Sequence, residues 1–233
     1  MVPFTILDHI EKSCRTFLWN NKDIRKSGKC LAKWETVCLP KKNGGLGVLS
    51  LRTQNKALTV KFLYKFYNNK DIPWVQLIWE AHYKDDKVPL GKSTKGSFWW
   101  RDCTKFIDIF KEHARCNARK GNSVLLWKDQ LQNGTHSTLQ GIFPQLHSFA
   151  KNTDISVRKA AISAGTNAHD LFHAPLSNIA MQQHDELQEI LLSYYQDGEA
   201  DSWSFKWGNY YSTKKIYEAI LNPSVATASF KWI

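Results

Sequence analysis

The sequence predicts a mainly α fold, in which a helical bundle is followed by an α+β segment with a β-hairpin. Apolar residues recur every three to four positions over much of the first half, which is the spacing of one helix face. Near residue 205 the apolar residues recur at every second position, which is the period of a strand. Hydrophobic residues make up 42% of the 233 positions and aromatic residues 13%, enough to build a buried core.

The first third of the chain predicts three helices and a turn. Trp34 and Leu58 are predicted core residues of the second and third helices. Pro40 is expected to end the second helix because proline has no backbone N–H and fixes its own φ angle. Two consecutive glycines predict the turn, since glycine adopts backbone angles that other residues avoid. The elements are a helix at 4–19, a polar basic loop at 20–29, a short helix marked by Leu31, Trp34 and Cys38, a turn at 43–45 and a helix at 51–66.

The middle of the chain predicts further helices and one strand. Ser97 is a candidate N-cap, because a serine hydroxyl can accept from a free N–H of the first helical turn. In the helix that begins at Pro73, the side chains of Trp74, Leu77 and Ile78 are expected to be buried. The predicted elements are helices from Pro73 and from Ser97, a charged loop at 84–96, a strand at 121–128, and helices at 155–164 and 185–194.

A β-hairpin is predicted near the end of the chain. Trp203, Phe205 and Trp207 alternate with polar residues, as in a strand with one buried face. The dipeptide Gly208-Asn209 then supplies a turn. Thr213 is expected to cap a short helix that follows. A change in charge and an irregular stretch divide the chain into a basic helical region, 1–130, and an α+β region, 131–233.

Positive charge is concentrated at the front of the chain. The net charge is +11, and residues 1–65 hold 13 Lys/Arg against 4 Asp/Glu, which gives +9. Residues 151–233 hold 7 Lys/Arg against 9 Asp/Glu, which gives −2. A basic front predicts a surface for polyanions, and an ordinary solvated basic surface is the alternative.

The cysteines and the apolar segments indicate where the protein works. The five cysteines include no C-x-x-C pair, which argues against a disulfide framework and against a zinc ribbon. A reducing, intracellular compartment is expected, the nucleus included. No signal peptide is apparent at the N-terminus, and no apolar run is long enough to cross a bilayer, so no membrane partner is expected.

Several motifs near the front resemble the region just after the polymerase core of plant LINE-type (non-LTR) retrotransposon reverse transcriptases. The family pattern is F-L-W, a basic spacer, W-x-x-V-C-x-P-K, G-G-L-G and then N-x-A-L. This chain supplies Phe17-Leu18-Trp19, Trp34, Val37-Cys38, Pro40-Lys41, Gly44-Gly45-Leu46-Gly47, Asn55 and Ala57-Leu58. The shared order and spacing make this likeness specific.

The resemblance continues through most of the chain. The family's G-S-x-x-W-R-D is matched at 96–102, and its G-x-G-x-x-x-x-F-W-x-D at 121–129. Its D-x-W-x-W followed by F-S-V-K-x-x-Y resembles residues 201–217. Asn122 stands where a second glycine is common, and Leu131 where the family has tryptophan. The chain is expected to stop at the start of the family's zinc-binding module and to be a piece of a retrotransposon protein.

The resemblance implies a thumb-like helical element that holds the template–primer duplex. Phosphates offer lysine and arginine a handle that is independent of base sequence. The implied partner is therefore RNA, DNA or an RNA–DNA hybrid, with the glycine turn acting either as a hinge or as a plain connection. Eight cations are the candidate contacts: Arg15, Lys22, Arg25, Lys26, Lys29, Lys33, Lys41 and Lys42.

No catalytic role is expected for this chain. Polymerases of this kind hold metal ions with paired aspartates in a Y-x-D-D turn. Tyr83-Lys84-Asp85-Asp86 has these letters, but it follows the thumb-like segment instead of preceding it and no strand–turn–strand pattern surrounds it, so it is not expected to be that turn. Weak binding of nucleic acid is therefore the predicted function. A structural or protein-interaction remnant without a nucleic-acid role is the alternative, and an enzyme of unrelated type is a further one.

Other patterns that could suggest catalysis or ligand binding are read as ordinary structure. Asp85-Asp86 is interpreted as part of a charged loop, and Gly91-Lys92-Ser93-Thr94 lacks the first glycine of a phosphate-binding loop. His169 and His173 share a helix face if that stretch is helical, but no third ligand accompanies them. The tryptophans at helical spacing are expected in the core, with base stacking as the alternative. No cofactor, metal or small-molecule substrate is predicted.

Overall fold

The computed structural model of the chain describes residues 2–20, 32–83, 88, 96–132, 137–167, 171–193 and 199–221. The predicted fold class is confirmed, since this part of the chain is mostly helical with one small antiparallel sheet. The helices are α1 (Phe4–Asn20), α2 (Trp34–Cys38), α3 (Leu51–Tyr67), α4 (Pro73–His82), α5 (Phe98–Thr104), α6 (Ile107–His113), α7 (Leu139–Ile142), α8 (Pro144–Ser148), α9 (Val157–Asn167), α10 (Asn178–Ser193) and α11 (Thr213–Leu221). The strands are β1 (Ala114–Asn117) and β2 (Ser202–Phe205).

Contacts divide the chain into two compact units. Unit 1 comprises residues 1–61 and 212–233, and unit 2 comprises residues 62–211. The boundary that the sequence predicts after residue 130 lies inside unit 2. Helix α11, late in the sequence, thus belongs to the same unit as the first 61 residues. The distribution of charge along the sequence does not predict this.

In unit 1, the start of α3 is hydrogen-bonded to α1. The buried carboxylate of Glu11, on α1, accepts hydrogen bonds from the backbone N–H groups of Leu51 at 3.0 Å and Arg52 at 3.4 Å. These are free donors in the first turn of a helix, where a negative charge is also favoured by the helix dipole. Ser50 accepts from the N–H of Thr53 at 3.3 Å. Glu11 therefore fastens α1 to the beginning of α3.

The core of unit 1 differs from the predicted one. Trp34 is buried together with Val37 and Cys38, as expected. Leu58 is 45% exposed, so its prediction as a core residue is wrong. On α1, Leu7 is buried, but Ile6, Ile10 and Phe17 of the helical apolar pattern are exposed. The spacing predicted the helix correctly, but it did not establish which of these side chains are covered.

An aromatic cluster forms the core of the first part of unit 2. The Phe66 ring stacks on Trp79 with centroids 4.5 Å apart and packs against Trp100 at 4.6 Å. The Tyr67 ring stacks on Phe110 at 4.9 Å, and Phe110 lies 5.4 Å from Trp203. Such contacts bring the C-terminal half of α3 together with α4, α5, α6 and β2.

The small sheet joins segments that are far apart in sequence. β1 pairs antiparallel with β2, so that Ala114 lies opposite Phe205 and Asn117 opposite Ser202. A turn forms at Lys206-Trp207, two residues before the position predicted at Gly208-Asn209, and Phe205 and Gly208 exchange two backbone hydrogen bonds of 2.9 Å across it. The residues after the turn lead into α11, so the partner strand of β2 is β1 and not the adjacent segment.

Several local predictions are corrected. Residues 121–128 were predicted as a strand, but Leu126–Lys128 form a turn, and Leu125 makes a single bridge to Ser156. In α4 the buried residue is Val75, while Leu77 is 65% exposed and Trp74 and Ile78 are half-buried. The cap of α11 is Ser212, whose hydroxyl accepts from the N–H of Lys215, and Thr213 is the first helical residue. The cap predicted at Ser97 is confirmed by its bond from the N–H of Trp100.

The carboxylate of Asp201 accepts hydrogen bonds from a loop that lies some eighty residues earlier in the sequence. Its Oδ1 accepts from the N–H groups of Arg119 at 2.9 Å and Gly121 at 2.7 Å. Its Oδ2 accepts from the N–H of Ser123 at 3.2 Å and from the Ser123 hydroxyl at 2.5 Å. Two motif segments of the resemblance, 121–123 and the one beginning at Asp201, thus form one hydrogen-bonded set inside unit 2.

Among the described residues, no helix combines the length and the apolar character that a membrane span requires.

Candidate nucleic-acid interface

Four of the eight predicted contact cations lie in the described part of unit 1. Arg15 is half-buried, whereas Lys33, Lys41 and Lys42 are exposed. The other four fall between α1 and α2 in sequence, outside the described residues: Lys22, Arg25, Lys26 and Lys29. The positions of the exposed three are set by α2 and by the turn that follows it.

Arg15 takes part in packing. Its guanidinium carbon lies 5.7 Å from the centre of the Trp34 ring, so the cation sits against the aromatic face of a core residue. A cation in this position gains from the ring's negative face and covers apolar surface with its stem. Arg15 therefore connects α1 to α2, and a role in holding unit 1 together accounts for it without a phosphate contact.

Lys33, Lys41 and Lys42 mark the two ends of α2. Lys33 is the residue immediately before the helix, and its carbonyl accepts from the N–H groups of Thr36 and Val37. Lys41 and Lys42 begin a short 3₁₀ turn, Lys41–Asn43, that follows Pro40. Their backbones are held by regular hydrogen bonding while their side chains reach solvent, which is the arrangement a phosphate contact requires.

The glycine turn after Lys42 is closely hydrogen-bonded. The N–H of Gly45 donates to the carbonyl of Pro40 at 3.2 Å, and that of Gly47 donates to Leu39 at 2.9 Å. Gly44 has φ +81°, in the left-handed region. A Cβ on Gly45 would lie 2.0 Å from the carbonyl oxygen of Leu39, so no other residue fits there. The glycines are explained by the shape of the turn, which favours the plain connection over the hinge.

Lys214 is a cation that the sequence prediction missed. It is exposed near the start of α11 and lines a groove together with Pro40 and Gly47 of the turn. A Cβ built on Gly47 would lie 3.9 Å from the Cγ atom of Lys41, so the Lys41 side chain runs beside the same groove. Lys33, Lys41, Lys42 and Lys214 are called the basic turn surface below. No local signal marks Lys214, because α11 reaches the turn only through the tertiary fold.

Arg52, another cation of unit 1, has a partner of its own. Arg52 forms an ion pair with Asp8 across α1 and α3, and its hydrogen bond to that carboxylate raises the pKa of the guanidinium. Acidic residues also occur near the basic turn surface, since Glu35 is exposed on α2 and Glu218 lines the groove. The positive field of the surface therefore comes from its four lysines, and Glu35 and Glu218 oppose it.

Most of the patterns that could suggest catalysis or ligand binding fall outside the described residues. Asp85, Asp86 and the stretch 91–94 lie outside the described residues, as does His169, while His173 is exposed. Within the described ranges, no group of three or more His, Cys, Asp or Glu side chains is placed to hold a metal ion. Trp34 is buried, and Trp74 and Trp99 pack edge-to-face against Phe62 at 6.1 and 5.2 Å. Trp34 therefore belongs to the core, as predicted, whereas Trp74 and Trp99 are half-buried.

Comparison with known proteins finds one similarity in sequence. The chain is 27% identical over 138 residues to an Arabidopsis thaliana protein named "Putative ribonuclease H protein". The alignment covers 58% of this chain and 22% of that protein, so the chain matches about a fifth of its length. No protein-family model matches the chain, and no solved structure matches it at a significant level.

Proposed function

We propose that this chain binds nucleic acid without sequence preference through the basic turn surface of unit 1. The observation that carries the proposal is that Lys214 lines a groove together with Pro40 and Gly47 of the turn that carries Lys41 and Lys42. The side chains of all three lysines are exposed, and their backbones belong to a hydrogen-bonded turn and a helix. Lysines on phosphates release condensed counterions, which favours binding whatever the base sequence. The name of the similar Arabidopsis protein, a ribonuclease H, supports a partner of this class.

The finer proposal is that the chain derives from a LINE-type reverse transcriptase, from the segment after the polymerase palm. The motifs quoted above support it by their order and spacing. In such a segment, contacts to the sugar–phosphate backbone position a duplex while other parts of the polymerase carry out the chemistry. Template–primer binding, as RNA, DNA or a hybrid, is therefore the proposed role, and the chain is proposed not to be an enzyme by itself.

Reversing the lysines at the turn and groove tests the binding role. The triple variant Lys41→Glu, Lys42→Glu, Lys214→Glu is expected to bind at least about tenfold more weakly and to flatten the salt dependence. For the wild type, the slope of log affinity against log salt is expected at about −3 to −6, with a dissociation constant in the micromolar range or weaker. Losing three phosphate contacts should reduce the magnitude of the slope by about 2 to 3. Fluorescence anisotropy of a labelled RNA–DNA hybrid across a salt series measures both quantities.

The matched control reverses three exposed lysines of unit 2, Lys70, Lys151 and Lys159. Both triple variants change the net charge by the same amount, so any effect of total charge is shared. The control should keep the wild-type slope. Absence of wild-type binding at low salt, or equal loss in both variants, would contradict the proposed surface and favour a structural or protein-interaction role.

A second prediction concerns catalysis. The purified chain is expected to extend no primer on RNA or DNA templates with magnesium or manganese. Its Y-x-D-D sequence, Tyr83-Lys84-Asp85-Asp86, follows the thumb-like segment and has no strand–turn–strand pattern around it, so it is not expected to hold the two metal ions. It is also expected to leave the RNA strand of a hybrid intact. Incorporation or cleavage above background that disappears in the double variant Asp85→Ala, Asp86→Ala would show that the chain is an enzyme.

A further inference from the structure

The groove beside the basic turn surface has the features of a ligand site. It lies within unit 1 and has a volume of about 630 Å³, within the usual range for small-molecule sites. Its walls are largely apolar and come from the glycine turn, the start of α3 and α11. The lining residues on which the argument depends are Cys38, Gly47, Leu49, Lys214, Tyr217 and Glu218.

An aromatic ring is held in place in this groove. The hydroxyl oxygen of Tyr217 accepts a hydrogen bond from the backbone N–H of Ser50 at 3.0 Å, at the N-terminus of α3. Burial raises the pKa of Tyr217, and the bond from Ser50 opposes that rise, so the phenol is neutral at pH 7. A ring fixed from its far end loses little conformational freedom when a flat ligand packs on it.

The remaining walls contribute little charge, and the charged lining residues are one lysine, Lys214, and one glutamate, Glu218. Burial, with help from Glu11 and Glu35, raises the pKa of Cys38 to about 11, so this thiol is uncharged at pH 7. Lys214 lines the groove, and the Cγ of Lys41 would lie 3.9 Å from a Cβ on Gly47 in its wall. Glu218 is the acidic residue among those that line it. The groove thus combines an apolar, aromatic interior with cations at its edge.

We propose that this groove accepts one unpaired nucleobase of a bound strand, against the ring of Tyr217, while the neighbouring phosphates lie on Lys41 and Lys214. The inference rests on the proposed function, because the strand is brought there by the basic turn surface. A nucleobase is flat and apolar on its faces and is joined to negative charges, which matches the interior and the edge of the groove. A paired base stays in its stack, so the groove distinguishes single strands from duplexes.

The test compares Tyr217→Leu with Tyr217→Phe. Both variants lose the hydrogen bond to Ser50, and only the first loses the ring. Three labelled probes are used: an oligothymidylate strand, an abasic strand with the same number of phosphates, and a duplex. The wild type should bind oligothymidylate more tightly than the abasic strand. Tyr217→Leu should weaken oligothymidylate binding about fivefold to 100-fold, the range for one lost base–aromatic stack, and leave abasic and duplex binding unchanged.

Tyr217→Phe is expected to keep the preference for bases. The inference is overturned if the wild type binds oligothymidylate and the abasic strand equally, or if Leu and Phe behave alike. Equal binding of all three probes with a normal salt slope would remove the groove inference and leave the proposed function intact. Absence of binding to every probe would remove both.

A second pair of variants remains informative if Tyr217→Leu does not fold. Leu49 in the groove and Ile6 on α1 are both 50% exposed, so Leu49→Gln and Ile6→Gln are matched changes in unit 1. Leu49→Gln should weaken oligothymidylate binding about threefold relative to Ile6→Gln, because it replaces apolar wall by an amide. A wild-type dimer on size-exclusion chromatography that Leu49→Gln dissociates, with oligothymidylate binding unchanged, would assign the groove to a second copy and overturn the inference.

Discussion

Replacing Phe66 by alanine is expected to lower the free energy of unfolding by about 3–5 kcal/mol, the range for a buried aromatic residue. Phe66 has no exposed surface. Its ring stacks on Trp79 with an interplanar angle of 5° and also packs on Trp100 and Tyr67. Removing the ring leaves a cavity between side chains of α3, α4 and α5 that cannot all close around it. Urea unfolding followed by far-UV circular dichroism measures the change.

Leu77→Ala is the control for Phe66→Ala. It also truncates a large apolar side chain in unit 2, but Leu77 on α4 is 65% exposed, so the expected change is within about 0.5 kcal/mol. Comparable losses in the two variants would contradict the assignment of the aromatic cluster as the core. Tryptophan fluorescence should shift in Phe66→Ala as well, since the stacked Trp79 gains access to solvent.

Replacing Lys111 by methionine is expected to cost about 3–5 kcal/mol, because it leaves a buried carboxylate without its counter-charge. Asp129 is fully buried, and its Oδ1 lies 2.7 Å from the ammonium of Lys111. Its Oδ2 accepts from the N–H of Leu125 at 2.8 Å. Methionine keeps much of the length of the lysine stem, so the loss comes mainly from the charge. Thermal and urea unfolding give the magnitude.

An exposed pair in the same unit provides the comparison. Lys105 and Asp102 form an ion pair of 2.6 Å in which both side chains are largely in solvent. Lys105→Met should cost at most about 1 kcal/mol, as is usual for surface ion pairs. Adding Asp129→Asn to Lys111→Met should recover part of the loss by removing the stranded charge. A loss in Lys111→Met no larger than in Lys105→Met would show that Asp129 does not need its counter-charge.

The motifs that carry the family resemblance acquire physical roles in the structure. Asp129 and Asp201 read in the sequence as parts of W-x-D and D-x-W patterns, and the structure shows two buried carboxylates that order the loop between β1 and α7. Asp201 binds the loop at 119–123, and Asp129 binds Leu125 and Lys111. Within these patterns, the acidic residues are explained by the satisfaction of buried polar groups.

Sequence alone determined the features that depend on neighbours along the chain. Helical spacing located α1 and α3, and the candidate helices at 155–164 and 185–194 overlap α9 and the later part of α10. Pro40 ended the second helix region, and the serine at 97 capped α5 as predicted. The unequal charge of the two ends was also a property of sequence. These features are local, because a helix face, a cap and a proline act within a few residues.

Only the tertiary structure decided what depends on distant partners. Leu58 and Leu77 fit the apolar pattern but remain exposed, since burial requires another element to cover a face. The strand at 202–205 pairs with the strand at 114–117. No turn signal near either strand predicts this pairing, because the two are far apart in sequence. Lys214 and Tyr217 reached the glycine turn because α11 packs in the unit formed by the first 61 residues. The candidate interface therefore combines residues from two segments that are far apart in sequence. The spacing of apolar residues within either segment does not predict that the two are in contact.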